Sequence, residues 1–128
     1  MIVYRIEGHN GIGPYQAYED ESFRYAVSLC VDHSDDAHSQ PRGDDLLGYI
    51  DANEFCGLDS AQALVDWFDG WFDRLHADDF VVTFWEADAR VGRNGQALFI
   101  KSASTLLGSM SIPSFLRDFY SGKLDVAA

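Results

Sequence analysis

Val3, Tyr4 and Ile6 open the chain with the β-branched and aromatic residues that favour extended backbone, so residues 2–6 read as a strand. Gly8 to Pro14 follows with the breakers His9-Asn10-Gly11 and Gly13-Pro14, a turn-rich stretch. Phe23, Ala26, Val27, Cys30 and Val31 then recur at helical spacing and predict a helix from an N-cap at Asp20 to about Asp32. Residues 33–45 lack any period and hold many breakers, which predicts a long polar loop of a kind that often carries function. Leu46 to Ile50 fits a short edge strand or a helical turn equally well.

The clearest element is an apolar ladder of Ala61, Leu64, Val65, Phe68, Trp71, Phe72 and Leu75, which predicts a helix capped by Asp59 or Ser60. Gly70 inside it costs about 1 kcal/mol relative to alanine and allows a break into two shorter helices. Phe80 to Ala87 and Gln96 to Lys101 read as strands, joined across the hairpin signal Asn94-Gly95. Residues 102–111 have room for one more strand. Pro113 to Tyr120, with Ser111 or Ile112 before it and Gly122 after, reads as a final helix. The order strand, helix, loop, helix, strand, strand, helix gives an α+β fold. A small antiparallel sheet of about three to five strands carries two to three helices, all in one domain spanning residues 1–128.

Charge changes this picture by where it falls. Of 21 acids and nine Lys or Arg, residues 32–88 hold fifteen acids against Arg42 and Arg74, a local charge of −13. Residues 89–128 hold five cations against Asp118 and Asp125, a local charge of +3, and the whole chain stands at −12. An acidic middle repels nucleic acid and anionic membranes, so neither is expected as a direct ligand. A basic protein surface is the partner such a charge fits. The N-terminus has neither a basic leader nor a long apolar run, and a cytoplasmic location is expected. Cys30 and Cys56 are then free thiols, expected in buried structural positions.

Catalytic signatures are missing. No two histidines among His9, His33, His38 and His76 are spaced for a helical metal site, and Asp51-Ala52-Asn53-Glu54 lacks the later positions of a calcium loop. No metal or cofactor is expected. Arg5 on the first strand, followed by Ser102-Ala103-Ser104-Thr105, is similar to the order in ADP-ribosyltransferases. That resemblance implies an NAD-using enzyme built on Arg5 and Ser104, although no Glu follows Glu86 to complete it.

The remaining chemistry is a row of carboxylates. Asp66, Asp69 and Asp73 stand at i, i+3 and i+7 on the predicted main helix, about 4.5 and 6 Å apart along its axis. Like charges so placed destabilise a helix, and Asp78 and Asp79 follow at the end where the helix dipole disfavours anions. Sixteen of the 21 acids are Asp, whose short side chain holds its charge close to the backbone at low entropic cost. Such a row can stand in for a phosphodiester backbone. The candidate partner-binding set is Asp66, Asp69, Asp73, Asp78 and Asp79, with Asp35, Asp36, Asp44 and Asp45 of the loop in support. Trp67 lies off the apolar ladder, and strand alternation turns Phe84 or Trp85 outward, so Trp67 and Trp85 join the set as interface anchors.

Tyr4-Arg5-Ile6-Glu7, Gly11-Ile12-Gly13-Pro14-Tyr15, Phe55-Cys56-Gly57-Leu58 and Trp67-Phe68 together resemble a family of small bacterial and phage proteins, with no activity attached. In size, acidity and lack of a catalytic motif the chain also resembles phage anti-CRISPR proteins. That likeness implies a non-enzymatic inhibitor that occupies the basic nucleic-acid groove of a CRISPR or other nucleic-acid-targeting defence complex of the host.

Overall fold

The computed structural model describes residues 1–17, 23–35, 37–38, 44 and 46–124. Six strands, β1 (Ile2–Glu7), β2 (Glu54–Leu58), β3 (Val81–Glu86), β4 (Arg90–Val91), β5 (Gln96–Ile100) and β6 (Thr105–Ser111), form one sheet. Its order is β4-β5-β2-β1-β3-β6, with every neighbouring pair antiparallel. Four helices accompany it: α1 (Ala26–Asp32), α2 (Ala61–Trp67), α3 (Phe72–Ala77) and α4 (Ile112–Tyr120). The α+β class and the antiparallel sheet agree with the sequence; the strand and helix counts exceed the expected ranges.

Alternation along β1 divides the sheet. Tyr4 and Ile6 point into the main core with Leu58 and Val82, beneath Leu64, Phe68, Phe72, Leu75 and Phe115 of the helical layer and its turns. Val3 lies on the other face, in a smaller cluster with Ala87, Ala97 and Phe99. Arg5 and Glu7 share that second face, buried and bonded to each other at 2.9 Å. Lys101 Nζ also meets Glu7, at 2.7 Å, and lies over the rings of Phe55 and Trp85.

The strand β2 escapes the sequence reading because Cys56 and Gly57 blunt its β-character, yet it is central. At Gly57 a Cβ would lie 2.4 Å from Val3 Cγ1, so only glycine lets β2 approach β1. The Asn94-Gly95 turn is present, with both residues at positive φ, 58° and 80°, as a type I′ turn requires. The hairpin it closes joins β4 to β5, however, while the strand expected on its incoming side, β3, pairs with β1 and β6. The two edges of the sheet differ. One is the two-residue β4; the other is the seven-residue β6, with no charged residue or proline and with Leu106 and Leu107 exposed.

The helices depart from the sequence reading in two ways. The proposed cap at Asp20 lies outside the described residues, and α1 begins only at Ala26. Its buried side is Ala26 and Leu29, continued by His33, while Val27 and Val31 are about 70% exposed. A hydrogen-bonded polar core side chain therefore sets the face of α1 where apolar spacing predicted otherwise. The main helix breaks at Gly70 (φ 83°) into α2 and α3. Ser60 and Ser111 cap α2 and α4 as expected, accepting from the Ala63 and Ser114 N–H groups. Both cysteines are free, and both are exposed where buried positions were expected. Among the described residues no helix is long and apolar enough to cross a membrane.

Candidate functional site

The turn after α1 folds back onto α2 and meets a row of aromatic side chains. Trp67 Nε1–H donates to Tyr15 Oη at 2.6 Å, and Tyr15 Oη lies 2.5 Å from His33 Nδ1. The His33 and His38 rings stack with centroids 3.7 Å apart and planes 8° from parallel. His38 Nε2 lies 2.8 Å from the Trp67 carbonyl oxygen, and its Nδ1 lies 2.7 Å from Asp35 Oδ1. Trp71 Nε1–H donates to Asp32 Oδ2 at 2.6 Å. Burial pushes His33 down to about 4, reinforced by His38 and opposed by Asp32 and Asp35. The Asp35 carboxyl sits below its ordinary value because of its bond to His38.

Beside this row opens a cavity of about 410 Å³, bounded by Asp59 and Ser60, by Gln62, Asp66 and Trp67 of α2, by Asn94-Gly95 of the hairpin, and by Ala37 and His38. Its polar lining presents two carboxylates, two side-chain amides and an imidazole, which suits a cationic or hydrogen-bond-donating group. Asp66 is exposed at its rim and accepts from Gln62 Nε2 at 2.9 Å.

The sequence-derived set divides across the molecule. Asp69 lies in the turn between α2 and α3, and Asp73 falls in the first turn of α3, where the helix dipole favours an anion. The break at Gly70 therefore removes the single straight helix on which Asp66, Asp69 and Asp73 were to form one row. The Asp78 side chain is only 13% exposed, accepts from the Arg24 N–H at 3.2 Å and pairs with its guanidinium at 3.9 Å. Asp79 is exposed with φ 66°. Asp36 and Asp45 lie outside the described residues.

Two members are corrected outright. Asp44 is 2% exposed and accepts from the N–H groups of Arg93 (2.6 Å) and Leu46 (3.0 Å), so it anchors the hairpin from inside and is not available to a partner. Trp67 is 8% exposed: its indole N–H is held by Tyr15, and the ring is part of the core. Trp85 is half-buried on the opposite sheet face against Phe99, with its N–H given to Thr83 Oγ1. Tyr15, His33, His38 and Asp59 lie outside the sequence-derived partner-binding set. The two histidines are five residues apart in an aperiodic stretch, so no sequence period marks their meeting.

The residues of the ADP-ribosyltransferase order are engaged within the fold. Arg5 is buried, and its guanidinium is spent on Glu7, the Cys56 carbonyl and the Gly11 carbonyl. Ser102 and Ala103 lie in a 3-10 turn, and the Ser104 hydroxyl donates to the Ile100 carbonyl at 2.7 Å.

No curated protein and no solved structure matches the chain. The family model described as the bacteriophage T4 Y00F protein matches residues 1–113, which run from β1 into α4. The chain belongs to that phage protein family.

Proposed function

We propose that the protein is a non-catalytic binding protein of a phage, which presents its acidic helical layer to a basic groove of a host complex that targets nucleic acid. Its action would be inhibition by occupancy, in the manner of anti-CRISPR proteins. The observation that carries this reading is Asp79. The Phe80 N–H bonds to the Leu75 carbonyl and the Asp79 N–H to the His76 carbonyl, a Schellman termination of α3. Asp79 occupies its left-handed position, where glycine is favoured, and its carboxylate sits at the carbonyl end of the helix. Both terms oppose stability, so the charge there is better accounted for by binding. Asp69, Asp73 and Asp79 are exposed and form no ion pair among the described residues.

The test is capture from nuclease-treated bacterial lysate, comparing the native chain with an Asp69→Lys/Asp73→Lys/Asp79→Lys variant at low and high salt. Retention of a nucleic-acid-binding complex is expected on the native chain only. It should fall by at least tenfold between about 0.1 and 0.5 M salt and be displaced by the complex's own nucleic acid. Capture indifferent to charge reversal and to salt would sink the reading. Transfer of label from NAD to lysate proteins would favour the enzymatic alternative.

A further inference from the structure

The His33–His38 stack fixes the proton positions of its own network. An indole N–H only donates, so Tyr15 Oη accepts from Trp67 and its own hydrogen goes to His33 Nδ1. His33 Nδ1 is thus an acceptor, and the ring is neutral with hydrogen on Nε2, on the side of Asp32 at 3.9 Å. His38 is placed differently: a carbonyl oxygen faces Nε2 and a carboxylate oxygen faces Nδ1. Both partners of His38 are acceptors, whereas the partner of His33 Nδ1 is a donor. The two stacked rings are held between Tyr15, Trp67, Phe68 and Trp71.

We infer that this stack is an acid-released latch, which holds His38 against Trp67 of α2 and lets go when His33 takes up a proton. A proton on Nδ1 faces the Tyr15 hydroxyl with a second donor. The phenol must then turn its hydrogen away from His33, and the bond between them is lost. The same proton puts a positive charge face to face with the His38 ring at 3.7 Å, and His38 opposes it. The carboxylates at hand are already engaged, Asp32 by Trp71 and Asp35 by His38, and neither stands in the stack between the rings. Arg74 lies over Trp71 at 4.5 Å and adds no negative charge. His38 and Ala37 form one wall of the cavity beside α2, so release of His38 opens that wall. The latch stands on these contacts alone and is independent of the docking role proposed above.

Uniformly ¹⁵N-labelled full-length protein tests it. Imidazole spectra at pH 7 should show His33 as the Nε2–H tautomer. On acidification His33 should titrate well below pH 6, together with a shift of the Trp67 indole resonance and loss of protection of the His38 amide, which is bonded to the Asp35 carbonyl. Protection of β1 and β3 amides should persist. His33→Gln keeps an acceptor for Tyr15 and cannot titrate, so it should abolish the transition. His38→Gln removes the facing imidazole that opposes protonation of His33 and should raise the His33 midpoint by about one pH unit. An Nδ1–H tautomer, a His33 midpoint at its ordinary value near 6.5, or loss of sheet protection in the same step would overturn the latch. So would a His33 midpoint unmoved in His38→Gln, which also decides the matter should His33→Gln fail to fold.

Discussion

Gly57 on β2 faces Val3 on β1 so closely that a Cβ on the glycine would lie 2.4 Å from Val3 Cγ1 and 2.9 Å from the Tyr4 carbonyl oxygen. One of those contacts is backbone, which a rotamer change cannot relieve. Gly57→Ala must therefore push the two central strands apart at the only β1–β2 register pair, Tyr4 with Leu58, and at its neighbours. A loss of about 2–3 kcal/mol is expected by urea denaturation, with an unchanged m-value.

Asp44 and Asp69 separate structural from displayed acidity. Asp44→Ala leaves the Arg93 and Leu46 N–H groups without their acceptor inside the protein and should cost about 2–4 kcal/mol. Asp69→Lys alters an exposed turn and should shift stability by no more than about 0.5 kcal/mol. Thermal melts of the two variants, side by side, check the contrast.

Asp79 gives a test in the opposite direction. Asp79→Gly relieves the left-handed backbone and removes an anion from the end of α3, and it should raise stability by about 0.5–1 kcal/mol. If the carboxylate serves binding, the same variant should bind its partner less well, a gain in melting temperature paired with a loss in affinity.

The pH dependence follows from His33. Burial lowers its folded value to about 4, against 6.5 for the free side chain. Between those limits the unfolded chain binds a proton that the folded chain refuses. Stability is therefore full above pH 6.5 and falls as pH drops toward 4, by at most about 1.4 kcal/mol per pH unit. Denaturation midpoints across that window should slope downward with acid, and the slope should flatten in His33→Gln.

Much of the fold was legible because local signals and tertiary packing agree. The Asn94-Gly95 turn, the Ser60 and Ser111 caps and the ladder from Ala61 to Leu75 all report on short-range chemistry, and each is found where its residues predict. What could not be read depends on distant partners. Gly57 looks like a strand breaker until Val3 is seen against it. Val27 and Val31 look like a core face until His33, tied to Tyr15, claims the inner side. The candidate site divides in the same way. Exposed aspartates on α3 and its flanks were marked by charge spacing alone. The burial of Asp44 and Trp67 and the pairing of two histidines required the sheet, the hairpin and the aromatic row to be in place.

The unequal edges of the sheet give the net charge of −12 a second physical role. An uncharged, proline-free strand such as β6 has one local device against the addition of another copy, the register shift that leaves Leu107 unpaired opposite Phe84 and Trp85. Mutual repulsion between whole molecules adds at long range to the protection that this single irregularity gives at short range. The repulsion is collective, fading as salt thins it or as carboxylates protonate toward the isoelectric point near 4.4. Colloidal stability of this protein is thus a property of its entire surface, and each aspartate neutralised at a docking face leaves the edge of β6 less well guarded.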